Sequence, residues 1–234
     1  MTGNAYREKS VSIVIPALNE AEGIAKTIAS IPKRELNKNG YKVQILVVDN
    51  GSTDETSSIA TRAGASVISE PRRGYGRAYK TGFKAAIGEI IATADADATY
   101  PVEDIPKFID ILETEHLDFI TTNRFAYMDS AAMHPLNRIG NRSLSLLFRL
   151  LYQKHIQDSQ SGFWIFRKEI LKDLVLRSDG MPFSQELKAE VCSDGLAWKE
   201  LPIRYRVREG KTKLRIWRDG VGNLVYLLKK RIAR

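Results

Sequence analysis

Apolar, β-branched runs alternate with stretches of helical periodicity through the first half of the chain. Strands are predicted at residues 11–15, 43–48, 65–69, 89–94 and 117–121, with helices at 20–31, 54–63, 74–87 and 102–114 between them. Runs such as Val43-Gln44-Ile45-Leu46-Val47-Val48 are nearly continuous in apolar residues, as expected of strands covered on both faces. Strands and helices taking turns in this way predict an α/β fold, a Rossmann-like, mostly parallel sheet with helices on both faces. Ser52-Thr53-Asp54-Glu55 and Thr99-Tyr100-Pro101 supply helix-start signals. Past Arg124 the pattern loosens. It reads as an amphipathic helix over 136–154, a short strand at 163–166, a helix at 184–193, a strand at 201–207 and a basic amphipathic tail. There is no internal repeat or low-complexity linker. The expected organisation is a polar extension (1–10), one catalytic domain (11–216) and the tail (217–234).

A length of 234 residues suits one domain, and a net charge of +8 predicts an anionic partner. The cations are spread along the chain, densest at Lys229-Lys230-Arg231 and Arg234. They come without zinc-finger spacing, an RRM signature or an aromatic-interleaved recognition helix, so no nucleic-acid partner is expected. The single cysteine, Cys192, excludes an intramolecular disulfide and a cysteine-based metal cluster. A polar start and the lack of a long apolar stretch predict a protein kept in the cytosol.

The chemistry concentrates where predicted strands end. Asp95-Ala96-Asp97 closes the run 89–94, and two carboxylates one residue apart can hold a divalent ion against a diphosphate. Val14-Ile15-Pro16-Ala17-Leu18-Asn19-Glu20 and Val47-Val48-Asp49-Asn50-Gly51-Ser52-Thr53-Asp54 would bring further polar groups to the same crevice. Asp49 there is suited to accept from a base or ribose, and Asp54 reads as a helix-start residue. The segment Arg72-Arg73-Gly74-Tyr75-Gly76-Arg77 is rich in glycine but lacks the Walker ending and the third dinucleotide-fingerprint glycine. Anion contact and close packing at a helix start both remain open for it.

In order and spacing, Ile15–Glu20, Val47–Thr56, Gly74–Ala78, Asp95–Asp97, Asp158–Phe163 and Arg208–Lys213 resemble the family 2 glycosyltransferases, and among them the dolichol-phosphate (polyprenyl-phosphate) mannosyl- and glucosyltransferases. The resemblance implies a GT-A fold and inverting transfer of a hexose from a nucleotide-diphosphate sugar to dolichyl or polyprenyl phosphate. It assigns Mg²⁺ or Mn²⁺ to Asp95 and Asp97, and the donor to Pro16, Asn19, Glu20, Asp49, Asp95, Ala96 and Asp97 with Arg208 and Lys213 closing over phosphates. Arg124 and Arg138 would face the acceptor phosphate, and Asp97, Asp158, Arg124 and Arg138 form the expected catalytic set.

A lipid phosphate is already an anionic nucleophile, so cations that relieve repulsion matter more than a general base. This sequence departs from relatives at Thr99, where glutamine is frequent, at Asn50, and in the spacing before Gly210, which makes Arg206 a competitor of Arg208. Asp158 either orients the sugar or an acceptor arginine or closes a capped turn, and Gln185-Glu186 either approaches the sugar or lies on a solvated helix face. A peripheral location at the cytoplasmic face of a membrane is expected, through residues 144–152 or the tail from Trp217, with ordinary core packing the simpler account of 144–152. A family 2 enzyme with a soluble or saccharide acceptor and a non-catalytic basic binding module are the alternatives.

Overall fold

Along the first strand Val11, Ile13, Ile15 and Ala17 enter one apolar cluster and Val14 another, the two-residue alternation of a strand buried on both sides. A computed structural model describes residues 9–210 and 216–232. Its strands are β1 (Ser10–Ala17), β2 (Lys42–Asp49), β3 (Ser66–Ser69), β4 (Ile90–Thr93), β5 (Phe119–Met128), β6 (Ile165–Arg167) and β7 (Trp198–Tyr205). The helices are α1 (Ile24–Ser30), α2 (Lys33–Lys38), α3 (Thr56–Arg62), α4 (Tyr75–Ala85), α5 (Ile105–Thr114), α6 (Pro135–Tyr152), α7 (Phe183–Ser193) and α8 (Ile216–Ile232).

All seven strands form one sheet in the order β3-β2-β1-β4-β6-β5-β7. Every neighbouring pair is parallel except those of β6, which runs against β4 and β5. The mostly parallel sheet expected from the sequence is therefore present, with one reversed strand at its centre. Because β2 lies on one side of β1 and β4 on the other, the order of winding switches at β1/β4, where a crevice opens beyond the strand ends.

Helices α1, α2, α3 and α5 cover one face through Ile24, Leu36, Ala60 and Phe108. On the other, α4 and α7 pack Tyr79, Phe83, Phe183 and Leu187 against Val14, Trp164 and Phe166. A further layer, α6 and α8, lies outside α7 around Phe148, Ala189, Cys192 and Leu227. The basic tail is thus a helix docked on the domain, and residues 144–152 contribute Leu144 and Phe148 to packing while Leu146 and Leu150 stay exposed. Helix α2 is absent from the sequence-based expectation. Its stretch Lys33-Arg34-Glu35-Leu36-Asn37-Lys38 carries one apolar residue, too few to show a period.

Gly82 on α4 faces β1 and β2 so closely that a Cβ would lie 2.4 Å from Val14 Cγ1 and 3.0 Å from Val48 Cγ2. Alanine there gains about 1 kcal/mol of helix propensity. Overpacking against stiff β-branched side chains costs about 1–3 kcal/mol. Gly82→Ala should therefore lower the urea midpoint with its slope unchanged; a midpoint at or above wild type would show that the layers part without cost.

Candidate active site

The carboxyl ends of β1, β2 and β4 bring their loops together. Asn19 N donates to Ser52 Oγ at 2.9 Å, its Oδ1 accepts from Thr53 N at 2.7 Å, and Glu20 N donates to Thr56 Oγ1 at 2.8 Å. Asp49 accepts from Ser52 N at 2.9 Å and from the Ser57 hydroxyl at 2.5 Å. Burial opposes its ionisation, yet these bonds hold its carboxyl below the usual range. Asp54 accepts from Thr56 N at 3.0 Å, the helix-start role read from the sequence. Asn50 joins the neighbouring loops, donating to Glu70 O at 2.8 Å and Arg72 O at 2.9 Å and accepting from Gly74 N at 2.7 Å.

Gly74 and Gly76 serve close packing. Added Cβ atoms would lie 2.3 Å from Asp179 O and 2.5 Å from Ser178 O respectively, and Arg77 and Lys80 pair with Asp179. Arg72 pairs with Glu70.

Asp95 and Asp97 follow β4 on a turn strained at Ala98, whose φ is +59°. The turn is held by Ala98 N donating to Thr27 Oγ1 at 3.0 Å, and by Gly23, where a Cβ would come within 2.7 Å of Ala96 O. Thr99 positions Asp97: its hydroxyl donates to Oδ1 at 2.7 Å and its N–H at 3.2 Å. Burial first, then the Asp97 charge, push the Asp95 carboxyl up to about 7 despite Arg124 and Arg208. Two carboxylates so placed call for positive charge. Among the described residues no third histidine, cysteine, aspartate or glutamate completes an all-protein metal cage. The donor set fits Mg²⁺ or Mn²⁺ held by one or two carboxylates, with diphosphate oxygens and water as the remaining ligands.

Arg124, on β5, donates from Nε to Asp158 Oδ2 at 2.7 Å and from Nη2 to Oδ1 at 2.9 Å, while its guanidinium lies 5.4 Å over the Tyr205 ring. Burial works against the Asp158 charge, but Arg124 keeps the carboxyl below its ordinary value. With 0% exposure Asp158 acts within the expected catalytic set as a positioning residue for Arg124, the reading in which it orients an arginine and not the sugar. Lys188, also fully buried, donates to Asp158 O at 2.8 Å and Ser161 O at 2.9 Å, and burial brings its amine down to about 7.

Arg138 is exposed on α6, between the groove-lining Asn137 and Ile139. Arg206 is taken by Glu103. Arg208 is the one that enters the site, 2.7 Å from Glu20 and 3.3 Å from Asp97. Lys213 and Arg234 lie outside the described residues. Gln185 and Glu186 are on no solvated face, since α7 is buried from Phe183 to Cys192. Glu186 accepts from Arg177 N at 2.8 Å, Ser178 N at 2.7 Å, Tyr226 Oη at 2.6 Å and Lys230 Nζ at 3.1 Å.

Asp97 and Arg124 open into a groove of about 660 Å³ whose walls are α6, α8 and Tyr205. Gln160, Ser184 and Asn223 add polar groups, and Asn223 Nδ2 donates to Gln160 Oε1 at 3.1 Å. Sequence reasoning missed Tyr205 and Asn223. The one available signal was a polar residue between the apolar positions Val221 and Leu224.

Residues 12–175 match the family model described as Glycosyl transferase family 2. This chain is a family 2 glycosyltransferase. The enzyme is 33% identical over 94% of its length to a low-salt glycan biosynthesis hexosyltransferase of Haloferax volcanii, of which it spans 53%, about half. It is 31% identical over 89% of its length to a dolichyl-phosphate hexose transferase of the same organism, spanning 88% of that protein. The GT-A fold expected from the sequence is matched by glucosyl-3-phosphoglycerate synthase of Mycobacterium tuberculosis, solved with Mn²⁺, UDP and glucosyl-3-phosphoglycerate. The TM-score is 0.76 at 23% identity, over 95% of this glycosyltransferase and 80% of that chain. The same synthase has been solved with Mg²⁺ and UDP (TM-score 0.73, 23% identity, 94% and 79% covered).

Asp158→Asn should cost about 3–5 kcal/mol near neutral pH, the penalty for leaving a buried arginine without its counter-charge. A carboxyl whose folded value lies below the ordinary 3.8 contributes stability above that value and loses it as pH falls through the folded value. The gap between wild type and variant should therefore close in acid, as read by urea unfolding across pH; a gap that does not depend on pH would remove the charge from this account.

Proposed function

We propose that this glycosyltransferase moves a hexose from a nucleotide-diphosphate sugar to the phosphate of a polyprenyl or dolichyl lipid at the cytoplasmic face of a membrane. The observation that carries the reading is the groove. One end is polar, with Asp97, Arg124 and Arg208; the rest runs between α6 and α8 past Leu136, Ile139, Leu144 and Leu224. A soluble phosphorylated acceptor needs only the first end, whereas an acceptor with a long apolar chain uses both. The relative named as a dolichyl-phosphate hexose transferase supports the same acceptor class.

The acceptor phosphate oxygen attacks the anomeric carbon from the face opposite the diphosphate, forming the O–C bond as the bond to the diphosphate breaks, which inverts the centre. Arg124 is clamped through Nε and Nη2, leaving Nη1 without a hydrogen-bond partner among the described residues and suited to hold the entering phosphate. Mg²⁺ or Mn²⁺, held by Asp95 and Asp97, would neutralise the donor diphosphate and stabilise it as leaving group. Asp49 and the β1 loop from Pro16 to Glu20 would receive the nucleoside, and Arg208 the phosphates.

No described helix is long and apolar enough to cross a membrane. Contact with the bilayer is assigned to the exposed apolar positions beside the groove, Leu146 and Leu150 on α6 and Val225 and Leu228 on α8. Lys230 is not among the cations that would face lipid, because Glu186 and Glu190 bind it at 3.1 and 2.7 Å. Arg149, Lys229 and Arg231 remain exposed.

Purified protein with Mn²⁺ or Mg²⁺, a panel of nucleotide sugars and a choice of acceptors tests the reading. Transfer to long-chain polyprenyl phosphate should far exceed transfer to short phosphates or saccharides; the reverse order would assign a soluble acceptor. Asp97→Asn, or chelation by EDTA, should cut turnover about a hundredfold or more, the equivalent of several kcal/mol of charge stabilisation. Full activity in metal-free buffer would remove the metal from Asp95 and Asp97. Leu150→Glu combined with Leu228→Glu should release the protein from anionic liposomes while sparing short-chain acceptors. Unchanged co-sedimentation across a salt series would place membrane contact elsewhere.

A further inference from the structure

Arg208 stands where a cation would stand. Its Nη1 is 3.3 Å from Asp97 Oδ2 and its Nη2 2.7 Å from Glu20 Oε1. The backbone beside it is bonded to the loop that carries the acidic pair: Arg206 N donates to Thr99 O at 3.0 Å and Glu209 N to Asp97 O at 2.9 Å. Lys26 pairs with Glu209 on the far side. The main chain of residues 206–209 is thus anchored, and a turn of one side chain is enough to move the guanidinium off Asp97. Arg208 Nε, moreover, is buried with no hydrogen-bond partner among the described residues. An unsatisfied buried donor costs about 1–3 kcal/mol. The pose is therefore one that a further anionic partner would improve.

We propose that Arg208 is a built-in counter-ion, seated on the acidic pair while the donor is absent and displaced from Asp97 when a divalent cation and a nucleoside diphosphate bind together. This rests on the reading of Asp95 and Asp97 as the metal site. Guanidinium and metal compete for Asp97 Oδ2, so a metal arriving alone has to break an ion pair. A diphosphate removes that obstacle because it offers the guanidinium a second anion, with forked geometry that suits arginine. Metal and nucleotide then favour each other's binding, and by linkage the coupling is the same in both directions. The arrangement also keeps the carboxylates partly neutralised between turnovers without committing the site to a metal that has no substrate to hold.

The test is Mn²⁺ binding, followed by the electron paramagnetic resonance signal of the free ion. Wild type, Arg208→Gln, Arg208→Lys and Asp97→Asn are compared without nucleotide, with UDP and, in parallel, with GDP. Without nucleotide, Arg208→Gln should bind Mn²⁺ about tenfold more tightly than wild type, a change of about 1.4 kcal/mol. Arg208→Lys, which keeps a cation, should stay within about threefold of wild type on the same scale. The cooperating nucleotide should tighten Mn²⁺ binding strongly in wild type and little in Arg208→Gln. Equal or weaker Mn²⁺ binding by Arg208→Gln, with binding still lost in Asp97→Asn, overturns the counter-ion role and leaves the metal site standing. Mn²⁺ binding that survives Asp97→Asn unchanged overturns both.

Discussion

A helix buried on every side must satisfy its own polar groups, and α7 does so for all its charged side chains, though not for Gln185 Oε1, in a way that organises the second half of the molecule. Glu186 takes hydrogen bonds from two backbone amides, Tyr226 and Lys230, while Glu190 pairs with Lys230. These contacts fix α8, a wall of the groove. Lys188 holds the carbonyls of Asp158 and Ser161. The turn so fixed carries the carboxylate that clamps Arg124. Each of these groups would cost several kcal/mol if buried alone, so the Arg124 side of the site is formed together or not at all. Aromatic packing beneath the helix, with Tyr79 and Phe183 stacked at 5.8 Å, supplies the apolar burial that this polar layer requires.

The crevice at the ends of β1, β2 and β4 works differently. Its residues stand at the ends of adjacent parallel strands and are tied by short loop-to-loop bonds such as Asn19 to Thr53 and Ser52. Geometry there follows from strand order, and chemistry from which residue ends each strand. The Arg124 side depends on partners far apart in sequence, above all Arg124 and Asp158, 34 positions apart.

That difference accounts for what was legible in the sequence. Continuous apolar runs showed the strands, and the polar residues closing them showed Asp49, Asp95 and Asp97. Asp158 kept two readings, orienting the sugar or an arginine, because a charge in a polar motif looks the same whether it meets substrate or another side chain. Which side of α6 lines the groove is not marked in the sequence, because its exposed face carries Leu136 and Ile139 as well as charges. The solvated face expected at Gln185-Glu186 failed for a related reason: in α7 the polar residues mark internal partners, and amphipathic patterning assumes that polar means outside. Gly74 and Gly76 left two readings open until Ser178 and Asp179 were seen pressed against them.

Strand β6 has a consequence for how the chain is made. Only three residues long, it is among the described residues the sole link within the sheet between β4 and β5, and it lies more than 30 residues beyond the end of β5. A chain emerging from the ribosome can assemble β1 to β4 early, but both β4 and β5 keep an open, apolar edge until Ile165, Phe166 and Arg167 arrive. Reversed direction suits this late wedge, since an antiparallel strand needs no crossover helix to reach its place. The length of time the nascent chain is prone to sticking is therefore set first by the synthesis of the α6 region, the segment that later walls the groove, and then by the wait for β7, which covers the other edge of β5.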